Sequence, residues 1–459
     1  MSRDVRVAAG RWAGRLAAIS FAVVIVISPL AARFDLLERP VAQVAPAYTD
    51  LLLPWAYVAM VVTLGLWAAS LALRPRPLRL GPAFVWIPAA GLLAIAAVSA
   101  AVSIDPQLAN FNVAKLAVTI AIGWYVVNEV DGLERLIVPV LVMVGSQALI
   151  AIVQGATQHS VGLTFLQELR IAPGTPNVSI VAAADGAGWL RAYGLTAHPN
   201  ILGGILAFGL LVIAAAQGGR PSTRLVRLTI FGLGVAALFL TFSRAAWIAF
   251  GVGLIVAIVM LAIRRDRPGV RAWGAAALTA AVIGVALAIP FAPYLAARAN
   301  VSGSVATEAR SIDERLALAG LAVEVFTDRP LLGTGLGIVP EAMRATDPAF
   351  EFAYQPAHVV LIDAAAETGI VGGACYLALV VAPWLALAAA RRRWTRQLAG
   401  ASAAVAAVTV VGLFDFYTWT ASAGRTWAWI LLGVWVVAYR AATEDQVREV
   451  PEPDPRPDG

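Results

Sequence analysis

Uncharged apolar runs of about 18 or more residues recur along the whole chain, and they restrict the architectures it can adopt. About 20 residues at a rise of 1.5 Å cross a 30 Å hydrocarbon core as a helix. No charge falls between Arg15 and Arg33, and similar runs fill 51–73, 82–104, 110–128 (with Lys115 near its start) and the stretch between Arg135 and Gln154. Further runs occupy 199–217, 245–263, 272–292, 369–390 and 398–414, and shorter ones 228–242 and 426–439, so twelve spans are expected. The apolar core of the first is longer than the 7–15 residues of a cleaved leader, and it is read as a retained span. The expectation is an all-α polytopic membrane protein with one transmembrane domain over 1–440. A proline-rich acidic tail at 441–459 is read as disordered.

The arginines orient the bundle. Arg3, Arg6, Arg11 and Arg15 precede span one, and Arg74, Arg76 and Arg79 follow span two. Arg220, Arg224 and Arg227 follow span six; Arg264, Arg265, Arg267 and Arg271 follow span eight; Arg391, Arg392, Arg393 and Arg396 follow span ten. With twelve spans every cluster falls on one side. Short cytoplasmic loops collect basic residues, which puts both termini in the cytoplasm. That bias also accounts for the net charge of +6, so no nucleic-acid partner is called for. With 14% charged residues against roughly 25% in soluble domains, a soluble enzyme is excluded. The single cysteine, Cys375, rules out a disulfide framework or a Cys-based metal site. Lys115, near the start of the fourth span, can snorkel.

Two long loops face the other side, 155–198 and 293–368, and they hold most of the residues suited to chemistry. His358 heads the run His358-Val-Val-Leu-Ile-Asp363-Ala-Ala-Ala-Glu367-Thr-Gly369, and an imidazole takes up a proton near neutral pH. Arg244 sits in the tight outer turn Thr241-Phe242-Ser243-Arg244. A guanidinium kept there suits a diphosphate, which it binds bidentately. Arg310 and Arg315 lie in the second loop, where Ser311 and Glu314 read as a capping box opening a helix to about Phe326. His198-Pro199-Asn200 reads as a helix start. The glycine-rich stretch Pro330-Leu-Leu-Gly333-Thr-Gly335-Leu-Gly337 lacks a preceding strand and a Walker lysine. It reads as a flexible re-entry turn rather than a nucleotide loop. No HExxH, DxD or His-rich cluster demands a metal, and no cofactor is expected.

Four segments taken in order resemble the O-antigen ligase and polysaccharide polymerase (Wzy-like) superfamily. They are Gly194-Leu-Thr-Ala-His198-Pro199-Asn200, the Ser243-Arg244 turn, Arg315 through Gly335, and His358 through Gly372, with Val359 where ligases usually place Asn, Ser or Gln. The resemblance covers roughly 194–390. It implies a GT-C-like membrane glycosyltransferase fold, a metal-independent reaction and an undecaprenyl-diphosphate-linked glycan donor. It further implies His358 as general base, with Arg244 and Arg315 on the diphosphate; Arg310, His198 and Glu367 are further substrate-binding candidates. The acceptor implied is a lipid A core sugar of lipopolysaccharide, a second lipid-linked repeat, or a protein hydroxyl. Two other readings are a transporter of lipid-linked sugar or a small anion, which calls for mid-span charges and related halves, and a non-catalytic envelope scaffold.

Overall fold

The computed structural model describes residues 3–176, 178–183, 185–216, 221–299 and 306–444. Among the described residues the fold is all-α but for two small antiparallel hairpins. The first part holds α1 (Arg3–Ile27), the hairpin β1 (Arg33–Leu37) and β2 (Leu51–Pro54) with α2 (Pro46–Thr49) between them, then α3 (Trp55–Leu73), α4 (Ala83–Ala101), α5 (Pro106–Glu129) and α6 (Ile137–Thr157). The hairpin β3 (Ile180–Ala182) and β4 (Gly188–Leu190) leads into α7 (Pro199–Ala215), α8 (Pro221–Leu240), α9 (Arg244–Ile263) and α10 (Arg267–Ala288). Next come α11 (Ala292–Arg298), α12 (Ala306–Asp328) and α13 (Val339–Thr346), before α14 (Val360–Ala389), α15 (Arg396–Phe414) and α16 (Ser422–Glu444).

Eleven of the described helices are long and apolar enough to cross a membrane, and α7, at 17 residues, is a shorter apolar helix. Together they correspond to the twelve expected spans. The short one is the most enclosed: every residue from Leu202 to Ile213 is buried. Protein neighbours rather than lipid surround it, so its length need not match the bilayer. Small residues let helices close on one another. A side chain at Gly253 of α9 would strike the Ala403 carbonyl of α15, and one at Gly400 would strike Ala215 of α7.

The arginine clusters do share one face. Arg6 donates to the Ala72 carbonyl at 3.0 Å, Arg264 to the Arg392 carbonyl at 2.8 Å and Arg393 to the Thr443 carbonyl at 3.1 Å. Arg396 clasps Asp266 through two nitrogens. Arg220 lies outside the described residues, as does most of the acidic tail, 445–459; α16 itself continues past Arg440 to Glu444.

Several boundaries differ from expectation. Helix α12 starts at Ala306, so Ser311 and Glu314 lie within it and do not cap it. Helix α16 starts at Ser422, which brings Arg425, 4% exposed, inside the bundle. Helix α14 starts at Val360 and not Gly369. The segment from Asp363 to Glu367 is therefore helix rather than loop, with a break at Gly369 (φ 69°, ψ −174°).

The glycine-rich stretch is not flexible. Thr334 donates to the Ala366 carbonyl at 3.0 Å, Gly335 to the Glu367 carbonyl at 2.9 Å and Ile370 to the Pro330 carbonyl at 2.8 Å. Backbone meets backbone: a Cβ at Gly369 would lie 2.1 Å from the Leu331 carbonyl oxygen, and one at Gly333 2.4 Å from the Glu367 carbonyl carbon. The Gly369 conformation is one that other residues reach only at about 1–3 kcal/mol, before any clash. Gly369→Ala is expected to lower thermal stability by at least that amount, read as a drop in the melting midpoint of the purified protein.

Candidate functional site

A cavity of about 580 Å³ opens on the face away from the arginine clusters. Helix starts, helix ends and the first hairpin region converge on it. His358 precedes Val359, the N-cap of α14, on a segment held by an Ala357 N–H donating to Asp363 Oδ1 at 2.8 Å. Its ring lies against Phe416, centroids 4.9 Å apart. Its Nδ1 is 3.7 Å from Asp415 Oδ1, too long for a hydrogen bond but close enough to pair once the ring is protonated.

Asp415 caps the end of α15 and is buried. Its Oδ2 accepts from Asn200 Nδ2 at 2.7 Å, and its Oδ1 from the Phe416 N–H at 2.9 Å. Asn200 Oδ1 in turn accepts from Arg191 Nη2. Arg191 also donates to the Thr241 carbonyl at 2.7 Å and to Ser179 Oγ at 2.9 Å. One polar chain thus ties the starts of α14 and α7, the end of α15 and the α8–α9 turn. His198 is the N-cap of α7, as its sequence suggests, with Nδ1 accepting the Asn200 N–H at 3.1 Å.

Arg315 reaches the cavity from α12, positioned beside Glu314, whose Oε1 accepts from Gln355 Nε2 at 2.9 Å. Burial, then the Arg315 charge, depresses the His358 imidazole to about 3. Burial followed by Arg191, His358, Arg298 and Arg315 takes His198 to about 3 as well. Both rings are therefore neutral at pH 7. Burial pushes the Asp415 carboxyl up, while Arg315 and the Asn200 amide pull it back.

Of the residues singled out in the sequence, the cavity gathers His358, His198 and Arg315. Arg244, Arg310 and Glu367 are not among its lining. Arg244 donates to the Arg298 carbonyl at 2.7 Å and so holds the end of α11, whose Arg298 does line the cavity. Arg310 is exposed, its guanidinium 5.7 Å from the centre of the Phe352 ring. Glu367 is buried beneath the glycine-rich stretch, accepting Trp419 Nε1 at 2.7 Å. The sequence reading passed over Asp415, Arg191 and Arg298. Asp415 could have been noticed as the one carboxylate in the turn between the last two spans, on the same side as His358.

Residues 229–377 match O-Antigen ligase. This stretch is similar to the O-antigen ligase family. It spans about a third of the chain and holds Arg244, Arg310, Arg315, His358 and Glu367. No curated protein matches the chain. The O-antigen ligase match supports a multi-pass membrane glycosyltransferase of the ligase and polymerase type, with lipid-linked glycan as substrate. His198, Asn200, Arg191 and Asp415 lie outside the matched stretch yet share its cavity.

Proposed function

We propose that this protein transfers glycan from an undecaprenyl-diphosphate-linked donor to an acceptor hydroxyl at the extracytoplasmic face of the bacterial inner membrane. One observation carries the reading: His358, Asp415 and Arg315 line a single cavity on the face opposite the arginine clusters. By the positive-inside bias the arginine face is cytoplasmic, and both termini with it.

The chemistry follows from the charges. With Nδ1 turned toward Asp415, His358 has Nε2 to accept the acceptor's O–H proton. The acceptor oxygen bonds to the anomeric carbon as the carbon–oxygen bond to phosphorus breaks, and the diphosphate leaves with the electron pair. Arg315, with Arg191 and Arg298, supplies fixed positive charge where the leaving group gains negative charge. Asp415, held by Asn200, stabilises the imidazolium. Diphosphate is a good leaving group and guanidinium meets its charge, so the reaction needs no metal.

The pH dependence gives a test. A base with an ordinary imidazole pKa of 6.5 would lose about tenfold of its active form at pH 5.5. With His358 depressed, kcat/KM is expected to stay flat through that range. A bound diphosphate offsets the Arg315 charge and raises the imidazole pKa, so the acid limb of kcat should lie at higher pH than that of kcat/KM. Coincident limbs near 6.5 would contradict this environment for the base.

The decisive assay incubates purified protein, and the His358→Ala and Arg315→Ala variants, with lipid-linked donor and acceptor. Undiminished transfer by both variants overturns the proposal. A deletion strain names the acceptor class: accumulated full-length lipid-linked polymer marks a ligase onto lipid A core, and accumulated single repeats mark a polymerase.

A further inference from the structure

A second cavity, of about 150 Å³, shares Ala47, Ala197, Ile201, Thr420 and Ala421 with the first. Its remaining walls are largely apolar, but Lys115 of α5 lines it. Lys115 is the only lysine in the chain, beside 33 arginines. Its position lies about 14 Å along α5 from the helix start, at 1.5 Å per residue, and its ammonium reaches back toward that start, 4.7 Å from the centre of the Phe111 ring. Among the described residues no carboxylate pairs with it. Arg425 of α16 is near enough to repel it.

A lysine ammonium lining a cavity within the depth of a membrane helix, with no paired carboxylate among the described residues, is an arrangement that a bound anion relieves. Ser422 and Tyr57 are also on the cavity wall, and the positive end of α16 starts there. Arg33 stands at the rim, paired with Asp35. The space equals about five waters at ~30 Å³ each, enough for one charged substituent and not for a polymer. Because the two cavities share a wall, a group seated here lies beside a molecule that occupies the first.

We infer that the side cavity is a second anion subsite, taking a carboxylate or phosphate carried on a sugar of the substrate glycan, with Lys115 as its counter-charge. The inference rests on the reading of the larger cavity as the diphosphate site. It predicts that the enzyme selects acidic or phosphorylated glycan over neutral glycan of the same size.

The lone lysine makes the test direct. Full-length protein grown on lysine labelled with carbon-13 at Cε gives a single lysine NMR signal in lipid nanodiscs, whatever the access to the side chain. Methyl glucuronide and glucose 6-phosphate, added separately, are expected to move it saturably, with methyl glucoside about tenfold weaker. The same response should persist in Arg315→Gln. A signal that ignores all three sugars, or follows the neutral one equally, overturns the inference. So does a response to pyrophosphate that competes with both acidic sugars, since the side cavity would then belong to the diphosphate. Binding is read without turnover. A responding lysine in a protein that transfers nothing would leave the subsite standing and sink the transfer reading.

Discussion

His358→Ala should transfer glycan about 10²- to 10⁴-fold more slowly than the wild type, the span that a positioned general base contributes. The loss should fall on kcat, because the imidazole acts on the acceptor proton as the new bond forms and contributes little to holding either substrate. The ring packs against Phe416 and sits at the edge of a cavity, not inside the core. The variant should therefore keep the wild-type melting midpoint, which separates lost chemistry from lost folding. A wild-type rate would mean that the acceptor proton leaves by another path.

Arg315→Ala should lower the rate about 10²- to 10³-fold, as removal of one preorganised donor to a developing anion does. It should also change the pH profile. The guanidinium helps hold the His358 imidazole in its neutral form. Without it the cation becomes easier to form, the imidazole pKa rises, and the acid limb of kcat/KM moves to higher pH. An unrelated structural defect would lower the rate without that shift. Arg310→Ala is the matched control: five residues away on the same helix, its side chain is exposed against Phe352, and its loss should leave rate and profile close to wild type.

The spans were legible because hydrocarbon enforces length and apolarity at once, and no fold of the loops could disguise that. Their ends were not, where charged residues join a helix. Arg224 and Arg227 lie within α8 before its apolar run begins, and Arg227 donates to the Ala216 carbonyl at 3.0 Å. Asp363 and Glu367 read as loop residues, yet each carboxylate finds a donor inside the fold, the Ala357 N–H and the Trp419 indole. Proline and glycine suggested a supple turn at 330–337, whereas the absent side chains let two backbones press together. In the cavity, His358, His198 and Arg315 were recognisable by residue type and placement. Asp415 was not singled out, because its link to Asn200 spans 215 residues and only its place in the last outer turn marks it.

The seam between 330–337 and 366–370 has a mechanical consequence. Arg315 is carried on the helix that runs into this seam, and His358 on the segment just ahead of it. With carbonyls and N–H groups locked across the joint and no volume left for water, the two supports behave as a single jaw. A bulky glycan chain cannot be admitted by prising them apart. The base and the cation therefore keep their spacing on this side of the cavity, while Ile180 and Ala182 of the β3–β4 hairpin line a wall that is not part of the joint.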